Sequence, residues 1–306
     1  MRISVPLGLL LISAAAPTAA LAQRSPAAPP PAPPALAPIS DAMDDIVHAL
    51  RLDGAALAVV RTDGTIHQSE HGRLAGAQVL PIASASKWLA VATILTLVDD
   101  GVLDLDVPVA RYLQEFDRDD KDDLTLRQCL SCTAGFQARI GGRMRGWGSG
   151  EFAAAAADTA LRLQPGEGFH YGGVTFQVAA VAAERVTGKS WHELFAARIA
   201  EPLGLEQTRF GGLYPIAGEP GTHPLPWVAG GAVSSLNDYT KFVRCLVDRG
   251  RCGDRQVLSE ASVAAMFRDS VPRNVAVQAP GIDVDDVRYG LGTWIFPIAG
   301  ESGAVR

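Results

Sequence analysis

Beyond its first residues the sequence has no apolar run long enough to cross a bilayer, and it has no basic excess. The 27 Lys and Arg stand against 33 Asp and Glu, for a net charge of −6. The first absence excludes an internal membrane span. The second removes the electrostatic footprint that a nucleic-acid partner requires. Cysteine is scarce, at four residues. Cys129 and Cys132 have C-x-x-C spacing, but no second ligand pair or nearby His completes a zinc site, and no thioredoxin-like strand precedes them. They read as structural or free thiols. Among the six histidines only His67 and His71 are closely spaced, and they fall on a predicted strand or turn rather than on one helical face. The acidic run from Asp117 to Asp123 lacks the spaced Gly and terminal Glu of a calcium loop and reads as a solvated surface loop. No metal and no cofactor is expected.

What is present begins with Met1-Arg2, a positive start, and Ile3 to Ala14, an apolar stretch too short to span a membrane. Ala20-Leu21-Ala22 has the A-x-A form of a cleavage site, so residues 1–22 read as a signal peptide and the mature chain as starting at Gln23. No cysteine stands at the cleavage point to carry a lipid anchor. A periplasmic or secreted location is expected. Ser25 to Pro38 is nearly all Pro and Ala, so residues 23–38 read as an extended linker. Residues 39–306 then form one large domain or two interleaved subdomains. In an oxidising compartment a disulfide is favoured over metal. Cys245 and Cys252 flank a turn containing Gly250, and that pair is expected to bridge.

Ile39 to Leu50 has helical apolar spacing, and Gly54–Val60, an Asp63-Gly64 turn and Thr65–Ser69 read as a β-hairpin. Trp88 to Val98 is apolar on every side, which predicts a helix buried all round. At its mouth stands Ser84-Ala85-Ser86-Lys87. Three positions apart on a helix, Ser84 and Lys87 share a face, and burial lowers a lysine's pKa, so the amine can take the serine proton. Free amides at the helix start supply one half of an oxyanion hole. Alone, an S-x-x-K spacing is weak evidence, because it recurs by chance.

The flanking segments carry more. Pro81-Ile82-Ala83-Ser84-Ala85-Ser86-Lys87 resembles the nucleophile motif of class C β-lactamases, D-Ala-D-Ala carboxypeptidases and family VIII esterases. The segments from Gly101 to Leu113, Leu124 to Phe136, Pro165 to Gly173, Val228 to Ser235 and Tyr289 to Trp294 follow in that family's order. The resemblance implies an α+β fold like the penicillin-binding transpeptidases, with an antiparallel sheet flanked by helices plus a helical subdomain, here roughly Leu105 to Phe267. The active site is then expected in the groove between sheet and helices. It also implies a serine hydrolase working through an acyl-enzyme, with Ser84 as nucleophile and with Lys87 and Tyr171 sharing the proton transfers. On this reading the Tyr171 phenol has a pKa pulled down by the Lys87 charge. His170, beside it, is not expected to point into the same site, and Ser86 reads as a packing or supporting hydroxyl.

Three departures bear on function. Cys132 stands where relatives usually carry His. Gly173 stands where β-lactamases and D,D-peptidases carry an Asn that holds the substrate's amide, and glycine has no side-chain donor. Gly173 is therefore read as a substrate-binding position that favours simple esters or amides over β-lactams and cell-wall peptides. The family's third motif follows the Tyr-Gly-Leu-Gly segment. Here Glu301-Ser302-Gly303 has its spacing with the wrong charge, so the final strands are expected to be missing by C-terminal truncation. The alternatives are a β-lactamase or D-Ala-D-Ala carboxypeptidase and, in another class, a non-hydrolytic peptidoglycan- or β-lactam-binding protein or scaffold.

Overall fold

The computed structural model describes residues 36–137, 140, 146–212, 222–278, 280–281 and 286–296. The signal peptide, most of the linker and Glu301-Ser302-Gly303 lie outside these residues. Helix α1 spans Ala37–Ala49, so it begins inside the segment read as linker; Pro38 sits in its first turn, where a missing N–H costs nothing. Strands β1, Gly54–Val60, and β2, Ile66–Gly72, form the expected antiparallel hairpin, with Leu57 opposite Ser69. Met43 of α1 packs on Ala55 and Leu57 of β1, and these residues make a small core of their own.

The polar face of β2 accounts for one of its two histidines, His71, while the buried Nε2 of His67 has no hydrogen-bond partner among the described residues. His71 bonds Ser69 Oγ through Nε2 at 2.9 Å and Asp44 Oδ1 of α1 through Nδ1 at 2.7 Å. That is the connectivity of a catalytic triad, but Ser69 and His71 are buried in mid-strand beneath α1. The three side chains satisfy one another and tie α1 to the hairpin.

Strand β3, Leu80–Pro81, leads through a 3₁₀ turn, Ala83–Ala85, into α2, Ser86–Asp99. Every side chain of α2 from Leu89 to Leu97 is buried, as the unbroken apolar run requires, and the Thr93 and Thr96 hydroxyls bond carbonyls of their own helix. Helices α3, Leu126–Leu130, and α4, Ser149–Asp158, pack on α5, Val174–Thr187, which together with α6, Trp191–Phe195, packs against α2; all of them contribute to one main core. A π-helical turn joins α6 to α7, Glu201–Leu203.

The region from Leu105 to Phe267 is not wholly helical. Strands β4, Arg209–Phe210, and β5, Ala232–Ser234, lie within it, and β5 pairs antiparallel with both β3 and β4. This sheet, ordered β3-β5-β4, carries a distant segment to the edge of the Ser84 turn. Helix α8, Leu236–Val247, is followed by the hairpin of β6, Arg251–Cys252, and β7, Arg255–Gln256, then by α9, Glu260–Phe267. Cys245 and Cys252 form the expected disulfide across that turn, a closure that contributes roughly 2 to 3 kcal/mol for so short a loop. The last described pair is β8, Arg288–Tyr289, with β9, Trp294–Ile295. The acidic loop also departs from expectation, because Lys121 is buried within it and pairs with Asp120 at 2.5 Å.

Candidate active site

Ser84 is exposed on the 3₁₀ turn rather than inside α2, and the chain reaches it through an unusual backbone angle. Ala83 has φ of +44°, a conformation that costs an L-residue on the order of 1 to 3 kcal/mol. Both flanks hold it there. Ile82 N–H donates to Ala232 O at 3.0 Å, next to the β3–β5 pairing, and Ser86 Oγ donates to Ala83 O at 2.6 Å while accepting Ala232 N–H at 3.0 Å. Ser86 is thus the supporting hydroxyl its position suggested, and it locks the nucleophile's turn to β5.

One helical step on, Lys87 is 3% exposed, and its Nζ donates to Ser84 Oγ at 3.2 Å and to Ala229 O at 2.9 Å. The amine lies over the rings of Tyr171, 4.7 Å to the centroid, and Phe176, 5.3 Å. Burial lowers its pKa from 10.5 to about 8, against a smaller opposing influence from Cys132. A charged lysine in this position is costly, and the neutral amine is a base.

Tyr171 lies beside the same group: its ring sits under the Lys87 amine, and both Ser84 and the Trp294 side chain are near enough to its hydroxyl to favour the phenolate. The phenol's pKa is raised, not lowered, because burial outweighs both of these influences. The sequence expectation of a depressed tyrosine is therefore corrected. A neutral phenol can donate a proton but is a poor acceptor, whereas a neutral amine can accept one.

The structure brings together Ser84, Lys87 and Tyr171, and it places Gly173 at the N-cap of α5, two residues beyond Tyr171. It adds residues that sequence reasoning did not assign. Trp294 and Tyr289 stack around Tyr171, with ring centroids 5.0 Å and 6.0 Å away. Cys132 is buried just past α3 with φ of +60°. Its thiol neighbours Lys87, the Gly172 backbone and the Tyr289 hydroxyl, and burial pushes its pKa up, so it sits beside the amine as a neutral group. Cys129, expected to behave like it, is also a buried free thiol. His170 stays exposed, with its backbone N–H on Cys132 O at 2.8 Å.

At Gly173 the space for a side chain is already filled. A Cβ there would lie 2.6 Å from Trp227 Cζ2 and 2.9 Å from the Ala229 methyl. Trp227 had no motif to mark it. It reaches the site because β5 returns to β3, a contact between segments some 150 positions apart in the chain.

A protein-family model described as Beta-lactamase matches residues 39–305. Penicillin-binding protein 4 of Amycolatopsis lactamdurans is 30% identical over 253 residues, which cover 71% of this chain and 65% of that protein. Esterase EstB of Burkholderia gladioli is 27% identical over 211 residues, 60% of this chain and 52% of the esterase. The chain thus spans less than two thirds of the length of either relative. A solved structure from Bacteroides dorei DSM 17855 that carries a β-lactamase label superposes with a TM-score of 0.76 at 30% identity, covering 88% of this chain and 82% of that one.

Proposed function

The chain belongs to the β-lactamase family, and on that premise we propose that it is a serine hydrolase that cleaves carboxylic esters or amides through an acyl-enzyme on Ser84. The observation that carries this is the buried amine of Lys87, which donates to the exposed Ser84 Oγ at 3.2 Å while lying 4.7 Å from the centre of the Tyr171 ring. Neutral Lys87 takes the Ser84 proton as Oγ attacks the substrate carbonyl. The Ser84 amide, at the start of the helical turn, donates to the developing oxyanion. Tyr171, uncharged and beside Ser84, relays a proton to the leaving group. Water then attacks the acyl-enzyme with the same groups in reverse.

Export is part of this reading. Residues 1–22 act as the signal peptide and residues 23–36, ahead of α1, as the spacer, and the Cys245–Cys252 disulfide suits an oxidising periplasm or exterior.

Proton transfer to Lys87 gives the reaction a definite pH dependence. The amine is about a tenth neutral at pH 7 when its pKa is about 8. We expect kcat/KM to climb nearly tenfold per pH unit up to about pH 8 and then to level off. Steady-state hydrolysis of p-nitrophenyl butyrate between pH 6 and 9.5, corrected for the spontaneous rate, measures it. A flat profile across that range removes Lys87 as the base.

The substrate preference follows from Gly173. With no amide at 173 and the Trp227 ring in its place, a short-chain aryl ester should be hydrolysed at least 10²-fold better than a cephalosporin, a ratio in the range set by unpaired polar groups in a binding site. The likeness to EstB supports the same preference. Comparing kcat/KM for p-nitrophenyl butyrate and nitrocefin decides it, and equal values restore the β-lactamase reading. A fluorophosphonate probe that fails to label the protein at all would favour a non-hydrolytic binder.

A further inference from the structure

The proposed hydrolase reading leaves open what limits the acyl group, and the segment from Trp227 to Gly231 bears on it. Trp227 N–H donates to Gly211 O at 2.8 Å, while Gly230 and Gly231 N–H return to Trp227 O at 3.2 and 2.7 Å. The turn is also pinned sideways, because Val228 N–H donates to Gln177 Oε1 of α5 at 3.1 Å and the Ala229 carbonyl accepts from Lys87. At Gly231 a Cβ would lie 2.5 to 2.8 Å from three carbonyl oxygens, so the backbone is packed to the limit there. Such a turn does not move easily.

The indole that this turn carries is fixed as well. Its six-membered ring closes on Gly173 at the start of α5, and its other edge lies 3.6 to 3.8 Å from the side-chain position of Gly230, which is itself 3.9 Å from the Ala83 carbonyl carbon. Phe152 of α4 meets the indole edge-on, with centroids 6.4 Å apart. The ring remains partly exposed. It therefore forms a rigid apolar wall running from Gly173 toward the residue before the nucleophile.

We infer that Trp227 is the specificity-determining residue of this site: it restricts the acyl-enzyme to compact apolar acyl groups, shutting out long chains and acyl groups with an amide next to the carbonyl. The reason is positional. The acyl group is the part of the substrate that stays bonded to Ser84 Oγ, so a wall that runs from Gly173 to Gly230, beside Ala83, bears on it before any other part. An indole that offers one N–H, at its Gly230 edge, and no acceptor can neither yield to a long chain nor accept from the N–H that an acylamino group brings out of water. The inference rests on Ser84 being the nucleophile.

The test uses the full chain and a series of p-nitrophenyl esters, acetate to octanoate plus N-acetylglycine, so that only the acyl part varies. In Trp227→Ala the ratio of kcat/KM for octanoate over acetate should rise tenfold or more. Gly173→Ala should lower the melting temperature, because its methyl meets Trp227 and the Ala229 methyl, and Trp227→Ala should cancel the part of that loss due to the indole in the double variant. The pair Trp227→Ala with Gly173→Asn should gain the N-acetylglycine ester as a substrate. If Trp227→Ala does not fold, Trp227→Leu carries the same comparison. An unchanged octanoate-to-acetate ratio, in protein whose Ser84 still reacts with a fluorophosphonate, overturns this inference and leaves the hydrolase reading standing. Failure of the wild type to react with the probe sinks both.

Discussion

Ser84→Ala is expected to abolish fluorophosphonate labelling and to lower ester turnover by 10⁴- to 10⁶-fold, the scale on which serine hydrolases lose activity without their nucleophile. The size of the effect reflects how little else in the cleft could attack a carbonyl. Tyr171 is held protonated by burial, Cys132 is buried with its thiol pushed toward the neutral form, and His170 faces solvent. The fold should be indifferent to the change. Ser84 is exposed, and the backbone of its turn is held by Ser86 and β5, so the unfolding free energy should move by no more than about 0.5 kcal/mol. Intact-mass measurement after probe treatment, beside a urea titration, reads both quantities. Labelling of the alanine variant at the wild-type rate would assign the nucleophile to another residue.

Lys87→Met should separate activity from stability. Loss of the base should cost about 10² to 10⁴ in kcat. Stability should move the other way. Lys87 titrates at about 8 in the folded protein and at 10.5 ordinarily, so between those values the unfolded chain binds more protons and wild-type stability rises with pH. Below pH 8 the buried ammonium imposes its full cost, on the order of 3 kcal/mol from that gap at ~1.4 kcal/mol per pH unit. Methionine removes the charge and keeps the length, but it leaves the Ala229 carbonyl without its donor, a loss of about 1 kcal/mol. The variant should therefore be about 2 kcal/mol more stable than wild type at pH 7, and by pH 10.5 the order should reverse, leaving the variant about 1 kcal/mol less stable. Urea midpoints at the two pH values check it. A variant less stable at both would make Lys87 a structural residue.

Much of this site was legible because its chemistry is local. Ser84 and Lys87 lie one turn apart, and the apolar run from Trp88 to Val98 could only be a buried helix, which makes a lysine at its mouth conspicuous. Tyr171 came from the order of motifs, and the structure sets it beside Lys87 and Ser84 although its electrostatics differ from expectation. The sequence shows the nearby cation but not the burial by Tyr289 and Trp294 that raises the phenol's pKa. Trp227 and Trp294 were out of reach for the same reason: each approaches the nucleophile through strand pairing or packing across a large separation in sequence. The helical insertion was drawn too broadly, because the short strands β4 and β5 have too few residues to display an alternating pattern. Pro38 hid the start of α1, since proline in a Pro/Ala run and proline in a first helical turn look alike before the structure separates them.

The lysine's hydrogen bond to Ala229 has a consequence for what happens after the chemistry. Its fixed acceptor is a neutral carbonyl, and among the described residues the one ionisable group that acts on it is Cys132, itself held neutral. Protonated Lys87 therefore stands in the cleft as an uncompensated cation. The species best suited to compensate it is the carboxylate that each ester hydrolysis leaves behind. In acid the enzyme should cling to its own product, and turnover there becomes a matter of departure rather than attack. Once the amine loses its proton, near pH 8, the carboxylate has nothing to hold it.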